Sequence, residues 1–145
     1  MPVEVQKFRA AIGTWLLAIT GMAAHVGTRV FSGWPMQPPT YPMITFGLRR
    51  SPGTDYPAHS WTGTLTLELY ADNEDTLDAI EDLVSDWLAR NAAETTLSVA
   101  SNVLCAHFAL TGVARDVPVA DMEADAYVAI MRAMSYDFTI VGLET

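Results

Sequence analysis

From residue 4 to residue 20, Val5, Phe8, Ile12, Trp15, Leu16 and Ile19 recur at helical spacing on one side of the chain. The stripe predicts an amphipathic helix, with Gly21 as its stop. Trp61 to Tyr70 carries a different period. Trp61, Leu65, Leu67 and Leu69 alternate with Thr62, Thr64, Thr66, Glu68 and Tyr70. Strict alternation predicts a strand with one buried face and one wetter face. Residues 74–90 return to helical spacing, with Leu77, Ile80, Leu83, Val84, Trp87 and Leu88 as the buried stripe. Asp72 or Asn73 can cap this helix, Glu74 and Asp75 favour its positive end, and Arg90 suits its other end.

Between these elements the pattern breaks. Residues 32–42 hold four prolines, at Pro35, Pro38, Pro39 and Pro42, and read as loop. The same pattern allows a short strand at Val30 and Phe31 before it. Residues 43–49 read as a strand. It forms a long hairpin with Trp61–Tyr70, and the turn-rich stretch 50–60 is its tip. Residues 103–112 and 133–141 read as further strands. In the first, Val103, Cys105 and Ala109 fall on one face and Leu104, Ala106, Phe108 and Leu110 on the other. Residues 119–132 are ambiguous: Met122, Ala126, Ile130 and Met134 fit a helix, while Tyr127 to Arg132 fit an extension of the last strand; the strand is favoured. The expectation is one α+β domain over residues 1–145, in the order α-β-β-α-β-β. It has a mainly antiparallel sheet of about four strands and two amphipathic helices.

Composition adds a constraint on partners. Of 145 residues, 50% are apolar and 17% charged, which is rich in apolar surface and poor in charge. A chain of this length buries roughly 70% of its unfolded surface, so a full core accounts for part of the surplus. Contacts with other subunits are the other outlet. The net charge of −9 disfavours nucleic acid and anionic membranes as binding partners. Cys105 is the single cysteine, which fits a reducing cytoplasm. Glu4, Gln6, Lys7 and Arg9 interrupt any apolar signal segment, and no apolar run is long enough to span a membrane.

Catalytic patterns are missing. His25, His59 and His107 stand apart from one another, without metal-ligand spacing, and His107 reads as a hydrogen-bonded core or interface residue. Cys105 lies in apolar company, which blunts a thiol. No nucleophile elbow or phosphate loop occurs. We therefore expect no enzyme, no cofactor and no metal. The one concentration of chemistry is acidic: Asp72, Glu74, Asp75, Asp78, Glu81, Asp82 and Asp86. The first reading is a solvated helix face with a favourable N-terminal dipole. A calcium loop is weaker, because Leu77 stands where its turn needs glycine. A wall that repels passing DNA and a mimic of the DNA backbone remain as functional readings.

The stretch Tyr41-Pro42-Met43-Ile44-Thr45-Phe46-Gly47, the alternating strand Thr64-Leu65-Thr66-Leu67-Glu68-Leu69-Tyr70 ending at Ala71-Asp72, and the helix with Ala79, Ile80 and Leu88 resemble the tail terminator family of long-tailed bacteriophages and related particles. The resemblance covers about residues 1–90, and the remainder by element order alone. It implies a homo-oligomer, a hexameric ring that caps the tail tube, stops its elongation and offers the head or neck a joining surface. The implied partners are the tail tube protein and a head-completion or neck protein, with DNA only in transit and no membrane. The implied location is the virion tail or neck, after assembly in the host cytoplasm. Within this frame Arg49, Arg50, Asp55 and Tyr56 on the hairpin tip are candidates for an assembly arm. Asp75, Asp78, Glu81, Asp82 and Asp86 are candidates for an acidic channel wall. The competing reading is a DNA-mimicking inhibitor, or another neck or head-completion binding protein.

Overall fold

The computed structural model of the chain describes residues 3–35, 40–50, 60–114, 116–121 and 126–141. Helices α1 (Val3–Ala18) and α2 (Met22–Val26) come first, then strands β1 (Val30–Ser32), β2 (Met43–Arg50) and β3 (Ser60–Ala71). Helices α3 (Glu74–Arg90) and α4 (Ala93–Ser101) follow, then β4 (Leu104–Val113), β5 (Val117–Asp121) and β6 (Ala126–Val141). The class is α+β, as expected, but the described residues hold four helices and six strands rather than two and about four.

The extra elements have physical reasons. The five residues of α2 are too few to show a period. Gly21, at φ 91°, makes the turn from α1 and packs beside Leu83 of α3. In α4, Thr95, Thr96, Ser98 and Val99 are weak helix formers, and no side chain caps the start. What holds α4 is its buried line of Ala93, Leu97 and Ser101.

All strands share one sheet, in the order β1-β2-β3-β6-β4. The β1–β2 pair is parallel and the others are antiparallel. Met43–Arg50 pairs along β3 from Tyr70 to Gly63, which is the expected hairpin; its tip, residues 51–59, lies outside the described residues. Residues 126–141 are strand, so the favoured reading of the ambiguous stretch holds there; residues 119–121 belong to the separate strand β5, and residues 122–125 lie outside the described residues. Ile130 and Met131 pair with both β3 and β5, so β5 lies on the same side of β6 as β4.

The helices cover one face of the sheet. Phe8, Ile12, Trp15, Leu16, Leu77, Ile80, Val84 and Leu97 pack with Ile44, Phe46, Leu65, Leu67, Leu69, Met134, Tyr136, Phe138 and Ile140 in a single core. Each such buried side chain contributes about 1.5–3 kcal/mol relative to exposure. Leu83, Trp87 and Leu88 of the predicted α3 stripe are partly buried against it. The opposite face carries the predicted wet side of β3, Thr62 to Glu68, beside Ser135, Asp137 and Thr139 of β6. Tyr70 departs from that pattern: only 6% exposed, it lies in ring contact with Trp34 and Tyr41.

The faces of β4 need correction. A bulge between Cys105 and His107 shifts the alternation, so Cys105 and Phe108 both face the core. Simple alternation puts those two on opposite faces. His107 pairs with Thr139 on the other side and is exposed, not a core residue.

Candidate functional site

The acidic helix begins where the sequence places it. Asn73, not Asp72, is the cap: its side-chain oxygen accepts the Thr76 N–H at 2.8 Å. Glu74 and Asp75 then occupy the first turn. Asp75, Asp78, Asp82 and Asp86 recur three and four residues apart on the exposed side, opposite the buried Leu77, Ile80 and Val84. Glu81 is half-buried at the flank of this stripe.

Two of the five wall candidates are already engaged. The Arg132 guanidinium, on the helix-facing side of β6, donates to Asp78 at 2.7 Å and to Glu81 at 3.5 Å. Its Nε and Nη2 donate to the two oxygens of Asp116 at 2.7 and 2.8 Å, a bidentate grip. The Arg132 side chain is 11% exposed, against 20% for Asp116, 28% for Glu81 and 62% for Asp78. The hydrogen bonds that Arg132 donates hold the Asp116 carboxyl below the usual carboxylate range, and the same bonds, accepted by Asp116, are the foremost cause that raises the guanidinium in turn. One cation therefore faces three carboxylates where α3, β6 and the β4–β5 connection meet. Asp75, Asp82 and Asp86 are left as a solvent-facing anionic stripe.

Sequence reading missed this clamp. The signal that could have found it is a single arginine in a strand otherwise facing the helices with Ile130 and Met134. It also missed Trp34, Tyr41 and Tyr70, whose rings gather on the open face at 5.6 and 6.2 Å from Tyr70. The Tyr70 hydroxyl donates to Glu68; burial and that carboxylate push its pKa up. Arg29 is a tie rather than a site, donating to the carbonyls of Pro42 at 2.8 Å and His25 at 3.3 Å.

Arg49 and Arg50, the assembly-arm candidates among the described residues, do not join the acidic stripe into one site. Arg49 is exposed opposite Thr64, and Arg50 pairs opposite Gly63. Arg132 sits opposite Leu69. At a strand rise of ~3.4 Å per residue, the clamp is about 20 Å along β3 from Gly63. Asp55 and Tyr56 lie outside the described residues.

Cys105 is buried, and desolvation, with Glu94 second, pushes its thiol up to about 12. Among the described residues no group of three or more His, Cys, Asp or Glu side chains is placed to hold a metal ion. No helix among them is long and apolar enough to cross a membrane.

By sequence, the chain matches no protein-family model and no curated protein. By fold it is similar to a chain in a solved structure described as the virion of a native gene transfer agent particle. The TM-score is 0.55, the match covers 92% of this chain and 93% of that one, and the identity is 18%. At that identity the likeness is one of fold.

Proposed function

We propose that this protein is a structural component of a tailed-phage-like particle: a ring, six copies round, that caps the tail tube, ends its elongation and gives the head or neck its joining surface. The observation that carries the reading is the fold agreement from end to end of both chains with a component of a virion. The local resemblance through Tyr41–Gly47 and Thr64–Asp72 supports the finer assignment to the tail terminators. The exposed stripe of Asp75, Asp82 and Asp86 suits a surface past which DNA travels without adhering, because like charges repel across a Debye length of about 8 Å at physiological salt. Tail tube protein and a head-completion or neck protein are the partners in this reading, and the virion tail or neck is the location.

The test is electron microscopy of the purified protein, alone and mixed with polymerising tube protein. Sixfold rings and tubes of arrested length are expected. Rings need not persist in isolation, because heterologous contacts are strengthened by the tube that templates them. Tubes that grow on unchanged, or end caps of another symmetry, would refute the proposal.

A further inference from the structure

Strand β4 ends the sheet, and among the described residues no strand pairs with its outer edge. Sheet edges are ordinarily blunted by lysine, proline or inward charge, because their backbone groups recruit other chains. Leu104–Val113 carries no charged residue and no proline, in a chain with 17 acidic residues. Ser98 of α4 covers the start of the edge by accepting the Cys105 N–H at 2.8 Å. Bulges interrupt the register between Cys105 and His107 and between Leu110 and Gly112, which leaves His107–Leu110 as a regular run. This border is also where exposed apolar side chains gather: Leu104 is 44% exposed, Leu110 48%, Val113 45% and Val117 48%.

A groove runs beside the same run of residues. Ser85 and Leu88 of α3, Ala93 and Glu94 of α4, and Phe108 and Leu110 of β4 line a half-open cavity of about 310 Å³. That is room for one large apolar side chain. Its border is anionic on both faces of the sheet, with Glu94 on the helix side and exposed Asp137 opposite Ala109 on the other.

We propose that β4 receives an added strand: an extended segment of another protein, paired with His107–Leu110, with an apolar side chain seated between Leu88 and Leu110 and lysine or arginine at its ends. Backbone pairing supplies the affinity and the groove supplies the selectivity. Charge selects the partner. A second copy brings its own net −9, and its cationic residues do not form a free extended segment among the described residues. Lys7 and Arg9 are helical, Arg49 and Arg50 are paired in β2, and Arg29 and Arg132 are tied. The inference requires only the edge and the groove, and it stands or falls apart from the ring.

A fluorescein-labelled peptide that alternates leucine with threonine and carries lysine at both ends probes the full chain by fluorescence anisotropy. Saturable binding is expected, weakened at least about tenfold by Leu110→Gln and by glutamate in place of the peptide's lysines. Methylating alternate backbone nitrogens of the peptide is expected to abolish binding. Leu110 is exposed, so the variant retains its fold, which circular dichroism verifies. The proposal is overturned if no saturable binding occurs, if the methylated peptide binds equally, or if Leu110→Gln changes nothing. It is equally overturned if sedimentation shows wild-type self-association that Leu110→Gln removes while the peptide fails to bind; the occupant is then a second copy.

Discussion

Replacing Arg132 by methionine keeps most of the aliphatic stem and removes the charge from the clamp. Three carboxylates then face one another without their cation. Asp116 dominates the loss, since it is four-fifths buried and held by two short hydrogen bonds. Hydrogen bonds to charged groups contribute about 1.5–3 kcal/mol. Asp78 is 62% exposed, so solvent screens it to about 0.5 kcal/mol or less. The Glu81 contact, at 3.5 Å, adds little. The expected loss is about 2–3 kcal/mol near neutral pH, a fall of about 1–2 M in the urea midpoint. The pH dependence has a definite sign. The Asp116 pKa is lower in the folded state, so its contribution is complete above the unfolded value of about 4 and is lost as pH falls through the folded one. Arg132 stays protonated throughout that window. The wild type and Arg132→Met are therefore expected to converge in stability toward acid. In a double-mutant cycle, Arg132→Met and Asp116→Asn are expected to couple by about 1.5–2.5 kcal/mol, whereas Asp78→Asn alone costs little. A deficit that is constant with pH, or an Asp78→Asn cost equal to that of Asp116→Asn, would refute the reasoning and assign the loss to packing of the arginine stem.

Asn73→Ala removes the α3 cap and is expected to cost about 1 kcal/mol by urea unfolding, with Asn73→Gly milder. Cys105 is expected to resist a thiol reagent such as dithionitrobenzoate at pH 8 in the native protein and to react at once after unfolding, because burial holds it as the neutral thiol. If the proposed ring holds, lysine at Asp75, Asp82 and Asp86 together is expected to leave it intact and slow DNA ejection, an effect that fades at high salt as phosphate attraction is screened; unchanged ejection would remove the stripe from the proposed channel wall. Calcium is expected to leave the melting temperature of the wild type unchanged, and a calcium-dependent rise would reassign the acidic segment. Deleting Thr54 to Pro57 is expected to leave the protein folded but block joining in particle assembly, so normal infectious particles from that deletion would remove the arm from the reading.

The legible parts of the fold were those with a long, unbroken period. Glu74–Arg90 matches residues 74–90, and β3 buries Trp61, Leu65, Leu67 and Leu69 as the alternation requires. Reading failed where the period was short or shifted. Five residues of α2 show no stripe, and the polar, β-branched α4 is held by Leu97 and its neighbours rather than by propensity. In β4 a bulge turned Phe108 inward and His107 outward, and nothing in the local composition marks which residue a bulge will take up. The acidic stripe was visible because charge at helical spacing is a local property. The partner that engages Asp78 and Glu81 was not, since Arg132 lies more than 50 residues further along the chain.

Strand β6 pairs with β3 on one side and with β4 and β5 on the other, and all three precede it in the chain. During synthesis, then, every strand pair except those among β1, β2 and β3 waits for the last one to leave the ribosome. Until that moment β4 and β5 have no sheet to join, and the apolar faces of α1, α3 and α4 have only part of their cover. Folding through such distant pairings is slow in principle, because loop closure must precede the contacts that reward it. The same wiring acts as a check on completeness: a nascent chain halted before β6 cannot present the finished sheet, so a truncated copy lacks the native surface of the full chain.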